Sequence, residues 1–341
     1  MSSGKNNCRF SNYITAMLKA VLLLISSFSC GIVNATAEQA EAVSSEYTDT
    51  PVCKIGIYIL ELFDIKTQTD FFNADFWVWS ICPNEELDAV KNADYVNALE
   101  LPDTEIYTSQ PAQGVYSSQR IRLPFHHHWD IKSFPFDKPT LKIEIEDSVH
   151  DLQQLTYKVD LKNSGIGEPN YLGDWEITDF SLVESNTYYP TNYGDPNLTG
   201  GSDYARITAV IELKRNGLSL FIRMVAGVFA SVIIALMSFF LNARYESLYS
   251  GQFGLIVGGL FGVLVNQRAT DSVLGHISTI TLIDYVHIVA LIYIILIGFN
   301  VIYTRHVIKN SPETTLPEPN VKRFLIFLLS YLAINACLVS G

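Results

Sequence analysis

Charge is scarce in this chain, and the little there is has been sorted by sign. Only 17% of its 341 residues are Asp, Glu, Lys or Arg, where a soluble protein carries about 25%. From Glu38 to Asn216 there are 30 acidic and 13 basic residues, against 5 acidic and 10 basic in the remainder. An acidic front and an apolar, mildly basic back imply two domains in two solvents. The front lacks the basic patch that a nucleic-acid face needs, so nucleic acid is not an expected partner. Catalytic signatures are missing too: there is no nucleophile elbow, phosphate loop or His-Glu-x-x-His run. No enzyme, catalytic residue or cofactor is therefore expected. His126, His127 and His128 stand in a row, but neighbours on a strand point to opposite faces and cannot converge on one ion. No metal site is expected.

In place of charge the chain has apolar length. Lys5, Arg9 and Lys19 precede an apolar run ending at Val33, and Ala35-Thr36-Ala37 offers a small-x-small cleavage site. Residues 1–37 therefore read as a secretion signal, with a short membrane anchor as the alternative. Residues 38–216 form the domain outside the cytoplasm. Within 217–341 the apolar runs are 217–241, 251–266, 281–303 and 324–339. A helix needs about 20 residues to cross the hydrocarbon core, so the expected helices, flanks included, are 217–241, 248–267, 281–303 and 322–340. Four crossings return the C-terminus to the side of the front domain. The loops left inside carry Arg244, Arg305, Lys309, Lys322 and Arg323, against Arg268 alone in the outer connection 267–280. That asymmetry obeys the positive-inside rule.

Across 51–215, runs rich in Val, Ile, Tyr, Thr and Trp lie at 55–60, 76–81, 119–123, 140–146, 155–159, 175–183 and 205–213. Turn clusters separate them: Lys66-Thr67-Gln68-Thr69, Asn163-Ser164-Gly165 and Tyr193-Gly194-Asp195-Pro196-Asn197. That spacing predicts one all-β sandwich. A first hairpin centred on Thr67-Gln68 makes paired residue numbers sum to 135, which sets Cys53 opposite Cys82. The two are either bridged in an oxidising compartment or left as thiols.

The segment Trp129-Asp130-Ile131-Lys132-Ser133-Phe134-Pro135-Phe136-Asp137-Lys138-Pro139-Thr140-Leu141 resembles the signature loop of the pentameric ligand-gated ion channel (Cys-loop receptor) superfamily. Phe63-Asp64-Ile65-Lys66-Thr67-Gln68-Thr69 looks like the family's first hairpin turn, and Phe76-Trp77-Val78-Trp79 resembles its aromatic second strand. Lys214-Arg215-Asn216 ends the last strand where the family places an Arg, and Leu282-Ile283-Asp284 looks like the third helix of a bacterial subgroup. The likeness runs through nearly the whole mature chain. Animal members close the signature loop with a disulfide; His127 and Leu141 stand at those positions here, as in the bacterial members. Three features depart from the family pattern: Val225-Ala226-Gly227-Val228 has no Pro, Leu274-Gly275 replaces Leu-Pro, and the second span holds Gly251, Gly254, Gly258, Gly259 and Gly262.

The resemblance implies an extracytoplasmic all-β immunoglobulin-like sandwich followed by a four-helix transmembrane bundle. It implies a bacterial inner-membrane protein in contact with the lipid bilayer, with periplasmic N-terminal domain and C-terminus, assembled with four identical subunits. The function implied is a ligand- or proton-gated channel passing monovalent cations. The alternative, sustained by the glycine-rich second span, is a non-conducting membrane-anchored periplasmic sensor or binding protein. Coupling falls to Phe134, Pro135, Phe136, Asp137 and Arg215. Pore lining falls to Ser250, Gly254, Val257, Phe261 and Leu264, with Glu246 at the inner mouth to attract cations. Alternatively, Gly254, Gly258 and Gly262 form a close-packed helix face. A ligand site between subunits takes Tyr95, Glu100, Glu146, His150, Tyr188, Tyr189 and Tyr193 from one face and Trp77, Trp79 and Arg120 from the next. Tyrosine rings suit a cation, and Glu144, Asp147 and Asp151 add negative potential. A small cationic ligand, proton or divalent ion is therefore expected, with ordinary sandwich packing as the alternative. Within the spans, Arg223 is expected to pair with Asp284, and His287 is a candidate proton sensor beside that carboxylate.

Overall fold

A computed structural model describes residues 50–65, 67–167, 172–194, 200–274, 279–310 and 320–340, without the side chains of 273 and 274. The expected signal segment, Lys66 of the first turn, Asp195-Pro196-Asn197 and Gly275 lie outside the described residues.

Two sheets form the front domain. The first runs β4 (Tyr107–Ser109), β5 (Val115–His126), β2 (Phe71–Cys82), β1 (Val52–Phe63), β7 (Thr156–Val159), with β8 (Gly165–Ile166) also pairing on β1. The second runs β3 (Ala93–Tyr95), β6 (Thr140–Asp147), β10 (Ser202–Arg215), β9 (Trp175–Tyr189). Alternation decides what faces inward. Ile55, Ile57 and Ile59 of β1, Phe72 and Phe76 of β2, Ile121 and Phe125 of β5, Leu141, Ile143 and Ile145 of β6, and Ile207 and Ile211 of β10 are all buried. Phe72 and Phe76 meet Phe125 at 5.8 and 5.9 Å between ring centroids, anchoring the middle of this core.

Six of the seven strand runs foreseen in the sequence fall within observed strands, and the seventh, 155–159, starts one residue before β7. The strands β3, β4 and β8 went unseen because two or three residues are too few to show an alternation. The first hairpin keeps the sum-135 register from Lys54↔Ile81 through Ile59↔Phe76, then slips by one between Ile59 and Glu61. A β-bulge at that point absorbs one residue and shifts the turn without moving the far end. At that far end Cys53 and Cys82 are joined, with Sγ atoms 2.07 Å apart.

β10 passes through Asn216 and Gly217 into four helices, each long and apolar enough to cross a membrane. They are α1 (Leu218–Leu236, continued by a 3-10 turn to Phe240), α2 (Glu246–Leu274), α3 (Leu282–Asn310) and α4 (Val321–Ser340). α2 continues seven residues beyond the expected end at 267, since Gln267, Arg268, Ala269 and Thr270 are polar or small but include no helix breaker. The foreseen glycine face is split. A Cβ at Gly259 would lie 2.7 Å from Ser231 O, and one at Gly262 would strike Ser231 Oγ. Both glycines let α2 close onto α1. Gly254 and Gly258 have nothing within 4 Å and serve no such contact.

Replacing Cys53 and Cys82 together by serine opens a cross-link across 29 positions, with an expected loss of about 3 kcal/mol. The readout is the guanidinium midpoint under non-reducing conditions. An unchanged midpoint would mean that strand pairing alone holds this end.

Candidate functional site

On the outer face of the second sheet, register sets Asp94 opposite Glu146 and Glu146 opposite Arg206. Arg206 Nε donates to Glu146 Oε1 at 2.6 Å, Nη1 to Glu144 Oε2 at 3.1 Å and Nη2 to the Tyr189 hydroxyl at 3.2 Å. Tyr189 in turn donates to Glu146 Oε2 at 2.9 Å, closing a charge-assisted ring. The rings of Tyr193 and Tyr204 lie 6.0 and 5.9 Å from Tyr189. Partial burial, then the hydrogen bond and charge of Glu146, raise the Tyr189 pKa against the opposing pull of Arg206. The result is a half-exposed aromatic and carboxylate cluster with a cation already inside it.

Several expected members stand elsewhere. Tyr95 is buried and packs edge-on to Phe76 in the core. On this short strand the outward neighbour is Asp94, which the sequence reading passed over. Arg206 was also missed; its signal was the register of β6 against β10. His150 Nδ1 lies 3.2 Å from Asp147 Oδ1, which also accepts the amides of Val149 and His150, so this pair shapes a turn instead of joining the tyrosines. Glu100 is exposed in the loop after β3, and Tyr188 is exposed on β9. Trp77, Trp79 and Arg120 belong to the other sheet. There Arg120 grips Asp75 through two bonds of 2.9 Å, and Trp79 Nε1 donates to Asp160 at 3.2 Å. The two halves of the expected site therefore lie on different sheets of one chain.

The coupling residues do converge. Arg215 Nε and Nη2 donate to the two carboxylate oxygens of Asp137 at 2.8 and 3.1 Å, with both side chains buried. The guanidinium lies 3.9 Å from the Trp175 ring centroid and 5.0 Å from that of Phe134. The peptide between Phe134 and Pro135 is cis, and the Pro135 carbonyl sits where a Cβ on Gly217 would be. Phe136 reaches Phe221 of α1 at 5.5 Å, and Lys132 O accepts the Leu282 amide of α3 at 2.9 Å. One loop thus touches the start of α1 and the start of α3.

Inside the bundle, the expected Arg223–Asp284 pair is not formed. Asp284 accepts from the amide and hydroxyl of Thr281, both at 2.8 Å, because a carboxylate in the first turn caps its own helix. Arg223 is exposed. His287 is buried with its ring nitrogens 2.8 Å from Ile283 O and 3.1 Å from Asn266 Oδ1, so its ring links α3 to α2 and turns to Asn266 instead of Asp284. Ser250, Gly254, Val257, Phe261 and Leu264 stand exposed along one face of α2. Glu246 is held by Arg305, which also donates to Ala243 O and Arg244 O. Among the described residues no group of His, Cys, Asp and Glu has metal-binding geometry.

Two outcomes follow for the junction. Arg215→Ala strands a buried carboxylate and is expected to cost about 3–5 kcal/mol in urea unfolding, with little rescue by Arg215→Lys, which lacks the fork. A partial recovery in Arg215→Met combined with Asp137→Leu would separate the stranded charge from lost packing. His127 is the second. Its Nε2 is buried with no hydrogen-bond partner among the described residues, and its ring meets Trp129 at 4.4 Å. Burial, then the charges of His128, His126 and Lys142, lower its pKa from 6.5 to about 4. The folded form holds the neutral ring, so stability is full above pH 6.5 and falls as pH drops toward 4. His127→Phe is expected to flatten that acid slope in thermal melts; an unaltered slope would clear His127 of the effect.

No protein-family model matches the chain and no curated protein matches it, so residue chemistry and geometry carry the functional conclusion.

Proposed function

We propose that the chain is one subunit of a homopentameric ligand- or proton-gated channel of the Cys-loop receptor kind. Its front domain is then an immunoglobulin-like periplasmic sandwich, and α2 lines the pore. The observation that carries this reading is the exposed stripe Ser250, Gly254, Val257, Phe261 and Leu264, which α1 and α3 leave uncovered while they pack the opposite side of α2. A smooth, largely apolar helix face of this kind suits a ring of copies around an axis. Val257, Phe261 and Leu264 would then close it by dewetting.

The gating route follows the covalent and hydrogen-bonded path. A cation bound among Tyr189, Tyr193, Tyr204 and Glu146, and covered by Trp77 and Arg120 of a neighbouring copy, strains β9 and β10. β10 ends at Arg215, one residue before the turn into α1, and Asp137 carries the same displacement to the loop on α3. Cation preference rests on the acidic front domain, which concentrates cations above the pore. Glu246 contributes little, because Arg305 neutralises it. That same pairing, which leaves the stripe without a charged ring, favours the second reading: a non-conducting sensor of the same fold.

The test is bilayer recording of the reconstituted full chain, from about pH 4 to pH 8 and with a panel of primary amines. Openings are expected, with Glu146→Gln moving the activation midpoint about tenfold and Phe261→Ser raising the basal current. Silence in every condition, with pentamers intact by mass, would give the protein to the sensor reading.

A further inference from the structure

Where the base of the sandwich meets the ends of α3 and α4 there is an open cavity of about 760 Å³. Three distant stretches wall it: Asp130, Lys132, Ser133 and Phe136–Lys138 from the loop, Leu282 and Tyr285 from the first turn of α3, and Leu338–Ser340 from the last turn of α4. Its depth in a bilayer follows from helix length. α4 has 20 residues, about 30 Å at ~1.5 Å per residue, which is the thickness of the hydrocarbon core. Its last turn therefore stands where acyl chains give way to headgroups.

The lining divides by chemistry in the same sense. Phe136, Leu282, Leu338 and Val339 supply an apolar part, and the same two helices expose Ile288, Ile292, Leu329 and Leu332 along their length. The polar part carries two ammonium groups. Lys132 Nζ is only loosely paired, 3.9 Å from Asp130, and Lys138 has no carboxylate partner among the described residues. The one buried carboxylate in the wall, Asp137, is committed to Arg215. Two exposed lysines beside an apolar hollow, at headgroup depth, suit an anion carried on a hydrocarbon chain.

We propose that this cavity binds the phosphate of a membrane phospholipid, with Lys132 and Lys138 on the phosphate and the acyl chains descending along α3 and α4. The inference rests on the four spans alone and stands whether or not the chain conducts. Because Lys132 O also holds the Leu282 amide, the bound lipid braces the loop that joins the sandwich to α3.

The full chain, purified in detergent and stripped of lipid, is titrated with dioleoylphosphatidylglycerol, and bound lipid is counted by native mass spectrometry. One saturable site per chain is expected, weakened about tenfold by Lys132→Glu with Lys138→Glu and retained in Lys138→Arg. Leu338→Trp, which fills the hollow without changing charge, should weaken it as well, and carries the test if the charge reversals fail to fold. Dioleoylglycerol, which has no phosphate, should bind far less. Equal binding by the parent and Leu338→Trp, or by the phosphatidylglycerol and dioleoylglycerol, would overturn the proposal. So would displacement of the lipid by inorganic phosphate at equal concentration, which would make the ligand a free anion.

Discussion

The rest of the structure depends on where Arg215 is held. It is the last residue of β10, and the chain enters the helical bundle immediately after it, so its position sets the origin of all four spans. Asp137 fixes the guanidinium by two bonds, and the Trp175 ring centroid lies 3.9 Å from it. A buried ion pair regains little more than its own desolvation cost. Its value here is geometric, since the planar fork admits one arrangement where a hydrophobic pair would allow several. Gly217 follows from the same constraint: the Pro135 carbonyl comes so close that no side chain fits.

Below that junction the helices associate by a different physics. Lipid tails are as apolar as Leu, so burial gives little reason for one helix to adhere to another. Close approach and polar links replace it. Ser231 lies against Gly259 and Gly262, and Gly227 leaves room for Asn266, which meets His287 of α3. At the far end Arg305 gathers the carbonyls of the α1–α2 turn, and Arg323 donates to Thr304 at 2.7 Å. Polar groups that leave water supply links between neighbouring helices, His287 to Asn266 between α3 and α2 and Tyr293 to Ser330 between α3 and α4, which order the helices against one another. The outer stripe of α2 has no such link, and that contrast marks it as a surface facing something outside its own chain.

Much of this architecture is legible in the sequence. Period-two runs announced the long strands, apolar length announced the spans, and the 135 sum placed Cys53 against Cys82 even though a bulge between Ile59 and Glu61 shifted the turn itself. What stayed hidden depended on partners far away in sequence. The family resemblance put Tyr95 in the ligand site, and the three-residue β3 shows no alternation that would reveal it as the inward side chain; the outward residue is Asp94. Arg206 became visible only when β6 and β10 were aligned, since nothing local marks it as the centre of two carboxylates and a tyrosine. Asp284 misled through depth: a carboxylate inside an apolar run suggested a partner on another helix, whereas its own Thr281 satisfies it. The junction cavity was beyond reach for the same reason, being assembled from loop, third span and chain end.

The placement of charge carries one further consequence. Glu246 lies at the far end of α2, where a free carboxylate ring would select ions by itself, yet Arg305 answers it with the opposite sign. The exposed stripe above it contains no ionisable residue between Ser250 and Leu264. An axis lined in this way would discriminate by wetting more than by sign. In the proposed channel, selection by charge would then fall to the domain that holds 30 of the 35 acidic residues, where Glu144 and Glu146 also hold Arg206. Arg206 sits in that cluster as an internal counter-ion, so a cation bound there as proposed would compete with it for Glu146 and Glu144. On the proposed reading, recognition at this site would be an exchange of partners around Glu146, and the strain of that exchange would fall on β10, the strand that ends at Arg215.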